Sequence, residues 1–321
     1  MSARPVVVVL HDDHLPEGMD QVSAVAEIRY ATADTLGDAV PGADVLLLWD
    51  FFSPAVRNVW DLCDSLKWIH IAAAGVDSLM FDELVESDVL VTNSRGIFDR
   101  PIAEFVLGQI LAFAKDSARS AGLQHRKIWK HRETQRIDTA HAMIVGTGAI
   151  GRETARLLRA VGMSVSGVGR TARTGDADFG EVYASADLSS VIEGVDYLVL
   201  LAPLTDATRG LVDESVLEAA TPGMRVINVG RGELLDVGAL LAGLRSGRIG
   251  GAALDVFDVE PLPQDSELWT TENVVITPHM SGDAAGWRGR LADLFVANFA
   301  RYNRAEPLAN VVDKRLGFVP S

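Results

Sequence analysis

The sequence is poor in cysteine, in basic charge and in long uncharged runs. Its one cysteine, Cys63, cannot form an internal disulfide, which points to a reducing, cytoplasmic setting. Lys and Arg number 29 against 44 Asp and Glu, a formal charge of −15, so no broad basic face for nucleic acid is expected. The longest stretch without Asp, Glu, Lys or Arg runs from Thr139 to Gly151, short of the roughly 18 residues a membrane span needs. Met1-Ser2-Ala3-Arg4-Pro5 leads straight into Val6 to Leu10 without a small-residue cleavage site, so no signal peptide is expected. What is abundant is apolar content, 48% of 321 residues, enough for about two domains at roughly 150 residues each.

Short β-branched runs at Val6 to Leu10, Val45 to Trp49, Trp68 to Ile71 and Val89 to Val91 read as buried strands. Amphipathic stretches such as Asp34 to Val40 and Pro54 to Leu62 lie between them, the alternation of parallel βαβ units. Ile102, Phe105, Val106, Gln109, Ile110 and Phe113 recur at helical spacing, so a long helix is expected over Pro101 to Lys115. A polar, basic patch from His125 to Asp138 follows. A second alternating series takes in Ala142 to Val145, Val165 to Val168, Tyr197 to Leu201, Arg225 to Val229, Gly250 to Leu254 and Val274 to Ile276. Asp283 to Tyr302 reads as a last long helix.

Gly146-Thr147-Gly148-Ala149-Ile150-Gly151 follows a strand and opens a helical run. In that setting the three glycines suit a tight turn, close approach of backbone to a pyrophosphate, and close helix–strand contact; a plain βα turn is the other reading. The next strand should end in a carboxylate if the ribose of NAD is bound there. Here Gly169-Arg170-Thr171-Ala172-Arg173 stands instead. A guanidinium at that place suits the 2′-phosphate of NADP, or is merely an exposed loop arginine. NADP is therefore expected over NAD.

Three separated strand ends then bring chemistry to one sheet edge: Arg231 in Asn228-Val229-Gly230-Arg231-Gly232, Glu260 in Asp255-Val256-Phe257-Asp258-Val259-Glu260-Pro261, and His279 in Thr277-Pro278-His279-Met280-Ser281. Singly, each could be structural. Together they offer a cation, a carboxylate and an imidazole beyond a dinucleotide fold.

With these motifs the chain resembles the D-isomer-specific 2-hydroxyacid dehydrogenase family, of the glyoxylate/hydroxypyruvate reductase kind, over nearly its whole length. Ala73-Ala74-Gly75-Val76-Asp77, Ala103-Glu104 and Leu201-Ala202-Pro203-Leu204-Thr205 add to the likeness. The resemblance implies an α/β protein of two Rossmann-like, doubly wound domains. The cofactor domain, 98–289, would be inserted into a discontinuous substrate domain, 1–97 and 290–321, with the active site in the cleft between them. It implies His279 as general acid and base, Glu260 favouring the charged imidazole, and Arg231 binding the substrate carboxylate with the backbone N–H groups of Ala74, Gly75 and Val76. Asp255 would orient the nicotinamide carboxamide. Ala202, Pro203, Thr208, Val229, Gly230 and Ser281 would join the glycine loop and Arg170, Thr171 and Arg173 in lining the cofactor. The implied partners are a small 2-oxo or 2-hydroxy acid and a second copy of the chain, with no nucleic acid, membrane or metal.

The sequence departs from the family pattern in two places. Arg170 and Arg173 stand where NAD-preferring members carry an acid, and the regulatory extension of some phosphoglycerate dehydrogenases is not expected. Glu260 is not the glutamine of formate dehydrogenases. Trp49, Phe51, Phe52 and Met280 either line an acyl pocket or pack a core. Two other activities occur on this fold, an NAD(H)-sensing corepressor and a phosphite dehydrogenase, and each remains an alternative.

Overall fold

Runs of Val, Leu and Ile too short for helices and buried on both faces form the central strands of two separate sheets. The computed structural model describes residues 4–320. It divides the chain into two units: the residues up to Phe98 together with those from Ala284 onward, and Asp99–Asp283.

In the first unit, strands β1 (Val6–Leu10), β2 (Glu27–Ala31), β3 (Val45–Leu48), β4 (Trp68–Ile71) and β5 (Leu90–Thr92) are all parallel, in the order β2-β1-β3-β4-β5. Strand β2 is not anticipated from sequence, because Glu27, Arg29 and Tyr30 break its apolar pattern. As an edge strand it is shielded on one side only. The expected helices 34–40 and 54–62 are shorter than their amphipathic stretches: Leu36–Ala39, and Ala55–Asn58 followed by the 3₁₀ turn Trp60–Leu62. The last long helix, Trp287–Asn303, buries Leu291, Ala292, Phe295 and Phe299 at helical spacing, and Phe295 stacks on Trp68 of β4 at 5.5 Å between ring centroids. It starts four residues later than expected, behind Gly286 at φ +78°. The chain re-enters this unit at Ala284 rather than at 290, because a crossing there would split the first turn of a helix that packs as one piece.

The second unit holds β6 (His141–Val145), β7 (Ser164–Gly169), β8 (Arg173–Asp176), β9 (Gly180–Ala184), β10 (Tyr197–Leu200), β11 (Met224–Asn228), β12 (Ile249–Leu254) and β13 (Val274–Ile276). Their order is β13-β12-β11-β10-β6-β7-β9-β8, parallel except for β8 against β9. The order reverses at β6 and β10, so the loops after those two strands part there, the usual ligand crevice of such sheets. The polar β8–β9 hairpin, which begins at Arg173, is not anticipated from sequence. Helix Asp99–Ala114 begins two residues before Pro101 and ends one before Lys115. It buries Ile102, Ala103, Val106, Ile110 and Ala114 and packs on helix Ala149–Ala160, which accounts for its apolar face inside the unit. Among the described residues no helix is long and apolar enough to cross a membrane.

Candidate active site

Gly146, at φ +114°, ends β6, and a Cβ placed on it would lie 2.6 Å from the Leu201 carbonyl carbon. A Cβ on Gly151 would lie 1.9 Å from the Gly146 oxygen, whereas one on Gly148 would meet no protein atom within 4 Å. Two glycines are thus demanded by the turn itself. The third leaves open space in front of the N-terminus of helix Ala149–Ala160, which begins with Ala149 and Ile150, and the cradle suits a pyrophosphate. On the neighbouring loop after β10, Ala202 is buried, and Thr208 Oγ1 donates to the Pro203 carbonyl at 2.7 Å and accepts the Thr205 N–H at 2.8 Å.

At the end of β7, Arg170 and Thr171 are exposed. Arg173 is not turned to solvent alone: its Nε and Nη2 both lie 2.9 Å from Asp176 Oδ2. Arg152 also grips Asp176, at 2.9 and 3.0 Å, and Asp178 at 2.8 Å. The Arg152 guanidinium, with further help from Arg173 and the N–H groups of Asp178 and Phe179, holds the Asp176 carboxyl well below the usual carboxylate range. Sequence reasoning missed this clamp, although Arg173 and Asp176 are only three residues apart.

Arg231, Glu260 and His279 come to one edge of the second unit from the loops after β11, β12 and β13. Asn228, buried at the end of β11, shapes the first loop: its Nδ2 donates to the Arg231 carbonyl at 2.8 Å and its Oδ1 accepts the Gly230 N–H at 3.1 Å. The Asn-x-Gly turn signature could have revealed it. Arg231 Nη1 donates to the Gly230 carbonyl at 2.7 Å. A Cβ on Gly232 would fall 2.0 Å from the Phe257 carbonyl carbon, so glycine lets the arginine loop press against the glutamate loop. Val229 is buried beneath it.

Glu260 Oε2 lies 2.8 Å from His279 Nδ1, with the two side chains 30% and 29% exposed. Burial pushes the Glu260 carboxyl up, but hydrogen bonds from His279 and the Phe257 N–H, with the charges of His279 and Arg231, leave it below its ordinary value. An ionised carboxylate can only accept, so the pairing puts the ring proton on Nδ1.

Asp255, expected at the nicotinamide, is fully buried. Its carboxylate accepts Thr277 Oγ1 at 2.5 Å and the N–H groups of Met280 and Ser281 at 2.9 and 2.8 Å. Thr277 was not singled out as a site residue from sequence.

The first unit carries Ala74, Gly75 and Val76 on the loop after β4. Asn93 Nδ2 donates to the Ala74 carbonyl at 2.6 Å, and the Ser94 N–H to that of Ala73 at 2.9 Å. Among the described residues, the N–H groups of Ala74, Gly75 and Val76 have no acceptor. Trp49 is buried, and Phe51 packs on Phe52 and Trp287 at 4.6 and 6.3 Å between ring centroids. Met280, in the other unit, is half-exposed beside His279.

A phosphate cradle at the switch point and a paired imidazole on the same sheet edge are the parts of a nicotinamide-dependent dehydrogenase. The chain belongs to the D-isomer specific 2-hydroxyacid dehydrogenase family, whose NAD binding domain matches residues 107–281. It is 30% identical over 288 residues to the glyoxylate/hydroxypyruvate reductase A of Arabidopsis thaliana, covering 88% of this chain and 86% of that one. The D-isomer specific 2-hydroxyacid dehydrogenase of Xanthobacter autotrophicus Py2, solved with NADPH and MES, is 31% identical with a TM-score of 0.80, over 98% of this chain and all (100%) of that one. The NADPH-dependent glyoxylate/hydroxypyruvate reductase of Sinorhizobium meliloti, solved with NADP and sulfate, is 26% identical with a TM-score of 0.83, over 98% and 100%. The chain is an oxidoreductase of the NAD(P)-dependent 2-hydroxyacid dehydrogenase class, with the two-domain Rossmann fold of that family.

Proposed function

We propose that the chain reduces a small 2-oxo acid to the D-2-hydroxy acid at the expense of NADPH, with His279 as proton donor. The Glu260–His279 pair is the observation that carries this reading. With Nδ1–H bound to Glu260, Nε2 would be the ring atom that protonates the oxygen of the 2-oxo group and takes the proton back in the reverse direction. Arg231, whose charge reaches Glu260, would bind the substrate carboxylate and polarise the carbonyl. In the first unit, the unclaimed N–H groups of Ala74, Gly75 and Val76 are of a kind that binds a carboxylate. The bound nicotinamide supplies the hydride.

The loop from Gly146 to Gly151 would hold the pyrophosphate, with Ala202, Pro203, Thr208, Val229, Gly230 and Ser281 along the rest of the cofactor. Arg170 and Thr171 would meet the 2′-phosphate, and Arg173, engaged by Asp176, would add positive potential. Support for NADP comes from the missing carboxylate at the end of β7 and from the NADPH and NADP bound by the two solved relatives.

A homodimer in the cytoplasm completes the reading. The indole of Trp129 is wholly exposed and Ile128 is 46% exposed, an apolar tip suited to self-association. Following nicotinamide absorbance with NADPH and with NADH, against glyoxylate, hydroxypyruvate and larger 2-oxo acids, tests the function. Turnover of one or more acids with NADPH is expected; no oxidation with any acid and either cofactor would refute it.

A further inference from the structure

A peptide unit is planar and trans, so a carbonyl and the N–H that follows it point in opposite directions, and holding the first aims the second. Two such carbonyls on the loop after β4 are held from the segment after β5. The Ser94 N–H donates to the Ala73 carbonyl at 2.9 Å, which fixes the Ala74 N–H. Asn93 Nδ2 donates to the Ala74 carbonyl at 2.6 Å, which fixes the Gly75 N–H. Both N–H groups therefore face away from Asn93 and Ser94. Those two residues are buried, and the Arg95 N–H on Asn93 Oδ1 at 3.2 Å leaves Nδ2 as the end of the amide that turns to Ala74.

What holds Asn93 and Ser94 comes from far along the chain. Asn310 Nδ2 donates to the carbonyls of Asn93 and Arg95 at 3.3 and 2.9 Å, bracketing Ser94, and the Asn310 carbonyl accepts the Asn93 N–H at 3.2 Å. Asn310 sits at φ +58°, a conformation that asparagine enters more readily than most residues with a side chain. It is secured on both flanks. Asn298, buried on the last helix, exchanges two hydrogen bonds with the Ala309 backbone at 3.0 and 2.8 Å, and the Val312 N–H donates to the Val91 carbonyl at 2.8 Å. We infer that Asn310 is a positioning residue for the substrate carboxylate: it holds the Asn93–Ser94 segment, which in turn aims the N–H groups of Ala74 and Gly75.

The inference rests on the proposed reaction, with those N–H groups receiving the carboxylate of a 2-oxo acid, and its test separates the two. The carboxylate carries the same charge before and during hydride transfer, so a weakened contact to it shows in KM rather than in kcat. Asn310→Gly keeps the positive φ and removes the side-chain donor. Asn93→Ala removes the amide that acts on Ala74. Both variants and their combination are compared in the whole enzyme by kcat and KM with glyoxylate and hydroxypyruvate, by the inhibition constant of oxalate, and by the dissociation constant of NADPH. Asn93→Ala should raise the KM for the acid and the oxalate constant by about tenfold, and Asn310→Gly by about three- to tenfold, with kcat and NADPH affinity kept within about twofold. The combined variant should be little worse than Asn93→Ala, because Asn310 acts through the segment that Asn93 belongs to. An unchanged KM in Asn310→Gly overturns the inference, and so do two effects that simply multiply. A KM that rises only together with falls in kcat and NADPH affinity marks a general loosening and overturns it as well. Any of these in an enzyme that still turns over leaves the proposed reaction standing; an unmutated enzyme that reduces no 2-oxo acid removes both.

Discussion

The two oxygens of Glu260 are divided between the backbone and the imidazole: Oε1 accepts the Phe257 N–H at 2.9 Å while Oε2 stands 2.8 Å from His279 Nδ1. The carboxylate thus ties the loop after β12 to the turn after β13. Since the backbone of Gly232 packs on Phe257, the Arg231 loop is seated against the same point.

Acid–base roles follow from that pairing. A positioned general acid contributes about 10² to 10⁴ in rate, so His279→Ala should lower kcat by that factor while NADPH still binds. Glu260→Gln should be milder. It loses the charged partner of Nδ1 but keeps a hydrogen-bonding side chain there, so kcat should fall by less than in His279→Ala. Stopped-flow and steady-state kinetics on the two variants check this, and near-normal turnover in His279→Ala would refute the assignment.

The glycine loop yields opposite outcomes at two positions. Gly151→Ala forces a Cβ to 1.9 Å from the Gly146 oxygen and should destabilise the protein by about 1 to 3 kcal/mol or more. Gly148→Ala meets no protein atom within 4 Å, at an ordinary φ of −76°. It should leave the melting temperature unchanged or slightly raised, yet weaken NADPH binding by about tenfold or more, since the new methyl occupies the pyrophosphate approach. Thermal melts and titration of both variants test the pair; a Gly148→Ala enzyme with full NADPH affinity would mean that the cofactor does not cross this loop.

Cofactor choice should turn on Arg170. A charge-assisted hydrogen bond of about 1.5 to 3 kcal/mol corresponds to roughly tenfold or more in affinity. The expected kcat/KM preference for NADPH over NADH is therefore at least about tenfold, mostly in KM. Arg170→Ala should erase most of it and leave NADH kinetics nearly unchanged. Arg173→Ala should also lower the preference, since its charge adds to the positive potential of the same loop. Equal efficiency of the unmutated enzyme with both nucleotides would count against the assignment.

Stability in mild acid should depend on His70. This imidazole is wholly buried in the first unit, with Nδ1 2.7 Å from Thr92 Oγ1, and burial pushes its pKa down to about 3. The unfolded chain takes up the proton near pH 6.5 and the folded chain does not, so stability is complete above that pH. It is lost on acidification at about 1.4 kcal/mol per pH unit, or about 2 kcal/mol between pH 6.5 and 5. Urea denaturation across this interval should show the slope, and His70→Gln should reduce it by close to one proton. An unchanged slope in the variant would place the acid sensitivity elsewhere.

Assembly is read by light scattering at micromolar concentration, where a particle of twice 34.5 kDa is expected. Trp129→Ser should shift it toward the monomer. A monodisperse monomer of the unmutated chain would contradict the dimer.

The sequence by itself determined the strand series, the switch-point loop from Gly146 to Gly151, and the identity of Arg231, Glu260 and His279, because each is a local pattern: apolar runs that must be buried, then a loop with chemistry at the strand's end. Tertiary structure decided which donor meets which acceptor. Strand β2 exists because β1 shields an edge that its own charges would not mark, and the β8–β9 hairpin exists because β9 pairs with β7. That hairpin brings Asp176 to Arg173 and Arg152. Asp255 finds Thr277, Met280 and Ser281 more than twenty residues on, across β12 and β13, and Asn93 finds the Ala74 carbonyl across β4 and β5. Periodicity records whether a side chain is buried. It carries no record of the partner that a buried polar group must have, and that partner is chosen only when distant strands come into register.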